Sequence, residues 1–124
     1  EYDFILVNLS NPDMIGHTGN FEATKEAIKC VDKCAYMIAL STLMAGGQAI
    51  ITADHGNAEQ MLLENNQPCT SHTTNPVPFI LVNADPEYTL KEDGCLADIV
   101  PTLIECMGME QPAEMTGKSL LIKK

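Results

Sequence analysis

Arginine and tryptophan are absent from this sequence, and histidine is scarce. All seven of its basic residues other than histidine are lysines, and only three histidines occur among 124 residues. Arginine is the side chain that best grips phosphate and carboxylate groups through paired hydrogen bonds. If the protein handles an anionic substrate, we therefore expect most of the residues that bind that substrate to lie outside this sequence.

The charge balance and the lack of long apolar runs argue against two classes of partner. The formal net charge is −10 at pH 7, which opposes nucleic-acid binding, because that binding depends on Lys and Arg neutralising phosphates. No apolar stretch is long enough to span a membrane. The first residue is Glu1 rather than Met, and no signal-peptide pattern follows it. We expect a domain, or part of one, that begins inside a longer protein.

The cysteines do not suggest cross-links. Their number is odd and no C-x-x-C spacing occurs, which argues against a disulfide framework or a zinc knuckle. We predict buried free thiols and a reducing, cytoplasmic setting. The five residues are Cys30, Cys34, Cys69, Cys95 and Cys106.

Short apolar runs alternate with helical patterns along the chain. The predicted strands are residues 2–10, 48–54 and 77–83, and the predicted helices are residues 21–45 and 95–108. Residues 11–19 and 83–94 are predicted loops, and the tail after residue 110 has too little pattern to assign. Alternating strands and helices indicate an α/β fold with a mostly parallel sheet flanked by helices.

The scarce histidines lie beside polar residues in the predicted loops. Asp13 and His17 follow the first strand, Asp54 and His55 end the second, and His72 precedes the third. Ligands collect at the carboxyl ends of strands in open α/β sheets. Carboxylate oxygens and imidazole nitrogens suit Mn²⁺ or Zn²⁺, and with more oxygen ligands also Mg²⁺. Two such Asp-His pairs indicate two metal ions, an arrangement that can clamp the oxygens of a phosphoryl transfer.

Each of these features also has an ordinary structural interpretation. Asp13 after Pro12 is typical of a turn, and a single Asp-His dipeptide is weak evidence for a site. His72 follows Ser71, but no G-x-S-x-G motif occurs and adjacent residues rarely align as nucleophile and base. The joint placement favours a common metal site, since all three histidines lie in loop-like segments.

Three long motifs carry a resemblance to a known family. "NPDMIGHTGNFEATKEAI", "ITADHGNAEQM" and "SHTTNPVPFILVN" closely resemble the C-terminal part of the cofactor-independent phosphoglycerate mutases, which belong to the alkaline phosphatase superfamily. The motifs occur in the family's order, and the resemblance covers nearly the whole chain. It implies an alkaline phosphatase-like fold, in which residues 1–124 form the C-terminal portion of the metal-binding phosphatase domain.

The resemblance also implies an activity for the longer protein. Members of the family interconvert 3-phosphoglycerate and 2-phosphoglycerate in glycolysis through a phosphoserine intermediate, without a bisphosphoglycerate cofactor. Two Mn²⁺ ions serve the reaction, and Mg²⁺, Co²⁺ or Zn²⁺ are alternatives. The family's full-length enzymes are usually monomers, and the implied location is the cytoplasm.

The family's ligands can be carried over to matching positions. The resemblance implies that Asp13, His17 and His72 bind one metal, and that Asp54 and His55 bind the other. The family's nucleophilic serine, a further aspartate ligand and the substrate-binding arginines belong to segments that match nothing here. We therefore expect no catalytic residue in this chain, and no mutase activity from the chain alone.

Two other functions remain as alternatives. The chain could belong to another metal-dependent phosphomutase or phosphatase of the same superfamily, or it could be a truncated, non-catalytic interaction or metal-binding module. A partial sheet would also leave strand edges exposed, which invites pairing with another chain. The isolated chain is therefore open to self-association.

Overall fold

A computed structural model describes residues 2–124 of the protein. Within that range the helices are α1 (Asn11–Gly16), α2 (Phe21–Met44), a 3-10 turn (Leu96–Asp98) and α3 (Ile99–Cys106). The strands are β1 (Ala49–Thr52), β2 (Phe79–Val82), β3 (Tyr88–Leu90) and β4 (Leu121–Lys123). None of these helices combines the length and the apolar character needed to cross a bilayer.

The long helix α2 begins and ends where local signals predict. The side-chain oxygen of Asn20 accepts a hydrogen bond from the backbone N–H of Ala23 at 3.0 Å, as an N-cap residue does. At the other end Gly46 has a φ of 78°, and the N–H of Gly47 donates to the Thr42 carbonyl at 2.9 Å. A left-handed glycine ends helices in this way because it lacks a Cβ. The predicted helix and both of its boundary signals are confirmed.

The segment predicted as the loop 11–19 contains the short helix α1 instead. Pro12 lies in its first turn, where a fixed φ and a missing N–H favour a helix start. Asp13 also lies in that turn, where a negative charge is favourable. The N–H of His17 donates to the Asp13 carbonyl at 3.1 Å, so the two side chains lie one turn apart on the same face.

The predicted strand at residues 2–10 is wrong. Residues 4–10 form neither helix nor strand, and none of the strands described above pairs with them. A strand needs neighbouring backbone for its N–H and C=O groups, so an apolar sequence alone does not make one. Most apolar side chains of this segment are exposed, including Ile5 at 69% and Leu6 at 82%.

The other two predicted strands are confirmed as β1 and β2, but the mostly parallel sheet is not. Both strand pairs among residues 2–124 are antiparallel, with Ala49 opposite Val82 in one and Tyr88 opposite Lys123 in the other. A parallel pair needs a crossover, usually a helix, and the chain between β1 and β2 contains none. β3 and β4 lie in the predicted loop and the unassigned tail. The helices and strands together confirm the α/β class.

The chain forms two compact units, each with a small core. One consists of residues up to Leu40 with Ala53–Pro78, and the other of Ser41–Thr52 with Phe79–Lys124. The buried apolar side chains include Met61 and Cys69 in the first unit and Pro101 and Leu120 in the second. In the second unit Thr102 donates to the Asp98 carbonyl at 2.7 Å and accepts from the N–H of Leu120 at 2.9 Å.

The cysteines are free thiols, but they differ in exposure. Cys69 is buried, whereas Cys30 and Cys95 are exposed. Burial raises the pKa of the Cys106 thiol, because an apolar surrounding disfavours the thiolate. The prediction of uniformly buried thiols is therefore wrong for Cys30 and Cys95: Cys30 lies in α2, a helix whose side chains are mostly exposed.

Candidate metal centre

Two histidines converge on one carboxylate oxygen in the first unit. The Nε2 atoms of His17 and His72 lie 3.2 Å and 3.1 Å from Asp13 Oδ1. The same two nitrogens lie 3.0 Å from each other. Residues 55 positions apart therefore meet here, although neither shares an element of secondary structure with the other.

The third histidine adjoins this group. The ring of His55 stacks on that of His72, with centroids 3.6 Å apart and an angle of 17° between the planes. His55 Nε2 lies 3.9 Å from Asp13 Oδ1 and 3.6 Å from Asp54 Oδ1. Asp54 lies at the margin, with a side chain that is 85% exposed. All five residues singled out from the sequence thus lie in one region.

A backbone carbonyl orients the ring of His17. The Nδ1 atom of His17 lies 2.6 Å from the carbonyl oxygen of Thr70. A carbonyl can only accept a hydrogen bond, so this nitrogen carries the proton and donates it. In the neutral ring Nε2 then presents its lone pair to Asp13 and His72. A second contact of this kind is typical of histidines that bind metals.

The resulting donor set fits a divalent cation. A carboxylate oxygen and two imidazole nitrogens lie within 3.0–3.2 Å of one another. Ligands at about 2.0 Å from a tetrahedral ion lie about 3.3 Å apart. Lone pairs that face each other at this distance repel unless a proton or a cation lies among them. Atoms of Asp13, His55 and His72 also lie within 4.8 Å of one another, close enough for a metal group.

Two neighbouring residues support this group and were not singled out from the sequence. Asn57, only 5% exposed, donates from Nδ2 to Asp13 Oδ1 at 2.9 Å. Glu59 accepts a hydrogen bond from the backbone N–H of Asn57 at 2.6 Å. Both lie in the motif that contains Asp54, which is the only sequence signal that could have pointed to them. The Thr70 carbonyl carries no sequence signal, because any residue offers one.

Comparisons with known proteins place the chain among metal-dependent enzymes. A family model described as the metalloenzyme superfamily matches residues 1–111. A 2,3-bisphosphoglycerate-independent phosphoglycerate mutase from Lachnoclostridium phytofermentans is 61% identical over 125 residues, which cover 100% of this chain and 24% of that protein. The corresponding mutase from a Cyanothece species is 51% identical, over 97% of this chain and 24% of that protein.

A solved structure is similar over the same region. The crystal structure of Leishmania mexicana phosphoglycerate mutase at low cobalt concentration aligns with a TM-score of 0.83 and 30% sequence identity. The alignment covers 94% of this chain and 24% of that chain. The chain therefore spans about a quarter of the length of these relatives.

Proposed function

Since the chain belongs to the metalloenzyme superfamily, we propose that it supplies the metal-binding part of a phosphoglycerate mutase. The proposed reaction interconverts 3-phosphoglycerate and 2-phosphoglycerate through a phosphoserine, without a bisphosphoglycerate cofactor. One observation carries the proposal: Asp13 Oδ1, His17 Nε2 and His72 Nε2 lie within 3.0–3.2 Å of one another. The similarity to mutases from several organisms supports the choice of substrate.

We assign the ligands to two ions. Asp13, His17 and His72 would hold one cation, and Asp54 with His55 would begin the site of a second. His55 Nε2 lies 3.6 Å from Asp54 Oδ1, so these two residues are near enough to begin a site of their own. Mn²⁺ is the proposed metal in both sites, because mixed oxygen and nitrogen ligands suit it; Mg²⁺, Co²⁺ and Zn²⁺ are the alternatives.

The residues of this chain would prepare the site rather than perform the transfer. When bound, paired cations neutralise phosphoryl oxygens and align the attacking and leaving groups. The chain itself contributes the Asp13 carboxylate and neutral imidazoles, with His17 held in its tautomer by the Thr70 carbonyl. The proposed nucleophilic serine and substrate-binding arginines lie outside these residues. The proposed setting is cytoplasmic, with no nucleic-acid or membrane partner and a monomeric full-length enzyme.

Calorimetric titration of the isolated chain with Mn²⁺ tests the metal assignment. We expect binding heat from the unsubstituted chain and none from Asp13→Ala or His17→Ala, because each substitution removes a donor from the first site. Asp54→Ala should keep this event and lose only a weaker second one. Binding should also weaken towards about pH 5, because protons compete with cations for imidazole nitrogens.

The control is Glu110→Ala, which removes an exposed acid of the second unit. It changes the net charge as Asp13→Ala does and should leave the titration unchanged. Equal binding by the Asp13 and Glu110 variants would show that Mn²⁺ is held by diffuse negative charge, and the proposed site would be wrong. A phosphoglycerate assay of the isolated chain should detect no turnover.

A further inference from the structure

We propose that Glu59 is a positioning residue for the metal centre: its carboxylate joins the loop that carries His55 to the segment that carries His72. The inference rests on the proposed function, because it concerns the support of the same ligands. The hydrogen-bond partners of the Glu59 carboxylate among residues 2–124 are other residues. It acts through Asn57, Thr73 and Asn75, and we call these three residues with Glu59 the Glu59 brace.

The Glu59 brace is held by three donors to one carboxylate. Oε2 of Glu59 accepts from the backbone N–H of Asn57 at 2.6 Å. Oε1 accepts from the hydroxyl of Thr73 and from Nδ2 of Asn75, the latter at 2.9 Å. These bonds, with that from Thr73 foremost, lower the pKa of Glu59. Glu59 therefore remains an acceptor of all three bonds at neutral pH.

One arm of the brace reaches the stacked histidines. Thr73 directly follows His72, and its N–H donates to the carbonyl of Gly56 at 2.8 Å. Gly56 directly follows His55, so this pairing sets the two histidine-bearing segments side by side. A side chain at Gly56 would meet the Thr73 hydroxyl and the Glu59 carboxylate. The junction is therefore closely packed around Glu59, next to the stacked rings.

The other arm reaches the carboxylate ligand. Glu59 holds the backbone of Asn57, and the Asn57 side chain donates to Asp13 Oδ1 at 2.9 Å. That oxygen is the one that faces His17 and His72. Outer contacts of this kind set the direction and the basicity of metal ligands. Glu59 is thus linked to both the carboxylate and the imidazoles of the proposed site.

Cobalt binding separates positioning from a merely structural role. Co²⁺ is the probe because its visible absorption reports the number and geometry of its ligands. In Glu59→Gln, an amide N–H₂ replaces one acceptor oxygen and meets a donor that it cannot pair with. We expect about a 10- to 100-fold loss of Co²⁺ affinity and an altered absorption spectrum. Glu64 is an exposed acid in the same unit, so Glu64→Gln is the control. It should match the unsubstituted chain in Co²⁺ affinity and in absorption spectrum.

A second pair of variants keeps the test decisive if Glu59→Gln does not fold. Thr73→Val removes one donor to Glu59 and should shift the cobalt spectrum, whereas Thr73→Ser keeps the hydroxyl and should restore it. An unchanged spectrum and affinity in Glu59→Gln and Thr73→Val would overturn the positioning role. If Asp13→Ala still abolished binding, the metal site would stand without the brace; if it did not, the proposed function itself would fail.

Discussion

Three polar groups surround one carboxylate oxygen of Asp13. The stability that these contacts contribute is too small to account for the arrangement. Oδ1 of Asp13 faces His17, His72 and Asn57 at 2.9–3.2 Å. Its contacts with the two histidines are partly exposed, and exposed contacts of this kind contribute only about 0–1 kcal/mol even between full charges. Asp13→Ala should therefore cost about 1–3 kcal/mol of stability, mainly because the buried Asn57 donor loses its partner, and should remove metal binding altogether. A loss of binding in a chain that remains folded would identify a ligand.

Gly16 provides the space that Asn57 needs beside Asp13. A Cβ at Gly16 would overlap the amide oxygen of Asn57, an atom that is buried and has no hydrogen-bond partner among residues 2–124. Gly16→Ala should displace this amide, lower Mn²⁺ affinity about tenfold and cost about 1–3 kcal/mol of stability by overpacking. Titration calorimetry and thermal unfolding measure the two effects.

Met14→Ala serves as the control for the Gly16 substitution, because Met14 is an exposed residue of the same helix α1. It should leave Mn²⁺ affinity unchanged. If Gly16→Ala bound Mn²⁺ as tightly as the Met14 variant, the contact between Gly16 and Asn57 would have no role in holding Asp13.

At the scale of elements, Asp98 joins the start of α3 to the chain before β4. Its carboxylate accepts from the backbone N–H groups of Lys118 at 2.7 Å and Cys95 at 2.9 Å. These bonds, that from Lys118 first, lower the pKa of Asp98 below its ordinary 3.8. A carboxyl group with a lowered folded pKa stabilises the fold above the unfolded value, and that contribution disappears as the pH falls through the folded value.

Asp98→Asn should therefore destabilise the chain at neutral pH and have little effect in strong acid. Urea unfolding at about pH 7 and at about pH 2 measures the gap between the variant and the unsubstituted chain. Asp93→Asn is the matched control, because Asp93 is a nearby exposed acid. A gap of equal size at both pH values would contradict the role of the Asp98 charge.

For the whole molecule, the exposed apolar segment near the start of the chain is the feature most expected to cause self-association. Residues 2–9 make no backbone hydrogen bond to the rest of the described chain, and unpaired apolar segments invite association. Light scattering after gel filtration should show oligomers that grow with concentration. The pair Ile5→Lys and Leu6→Lys should return the chain to a monomer, whereas Met109→Lys, at a position 58% exposed, should not.

The family resemblance rested on three separated motifs and is confirmed by the relatives at 51–61% identity and by the TM-score of 0.83. Local signals also predicted α2, α3, β1 and β2, because caps, glycines and side-chain periodicity act within one element. The same reasoning missed α1 and assigned a strand at residues 2–10. Pro12 and the glycines near it are typical of a loop, although Pro12 here begins a helix. The apolar run at residues 2–10 is typical of a strand, but no neighbouring strand among residues 2–124 pairs with it. The division of ligands between two ions stays a prediction.

The residue types of this sequence, by themselves, determined which side chains could bind a cation and which helix turns could form, because those properties depend on neighbours a few positions away. Only the tertiary structure decided that the strands pair antiparallel, that the Thr70 carbonyl orients His17, and that Glu59 and Asn57 support Asp13. Those contacts join residues between 2 and 53 positions apart. Most of them depend on how the loops return to one another, which no local spacing specifies.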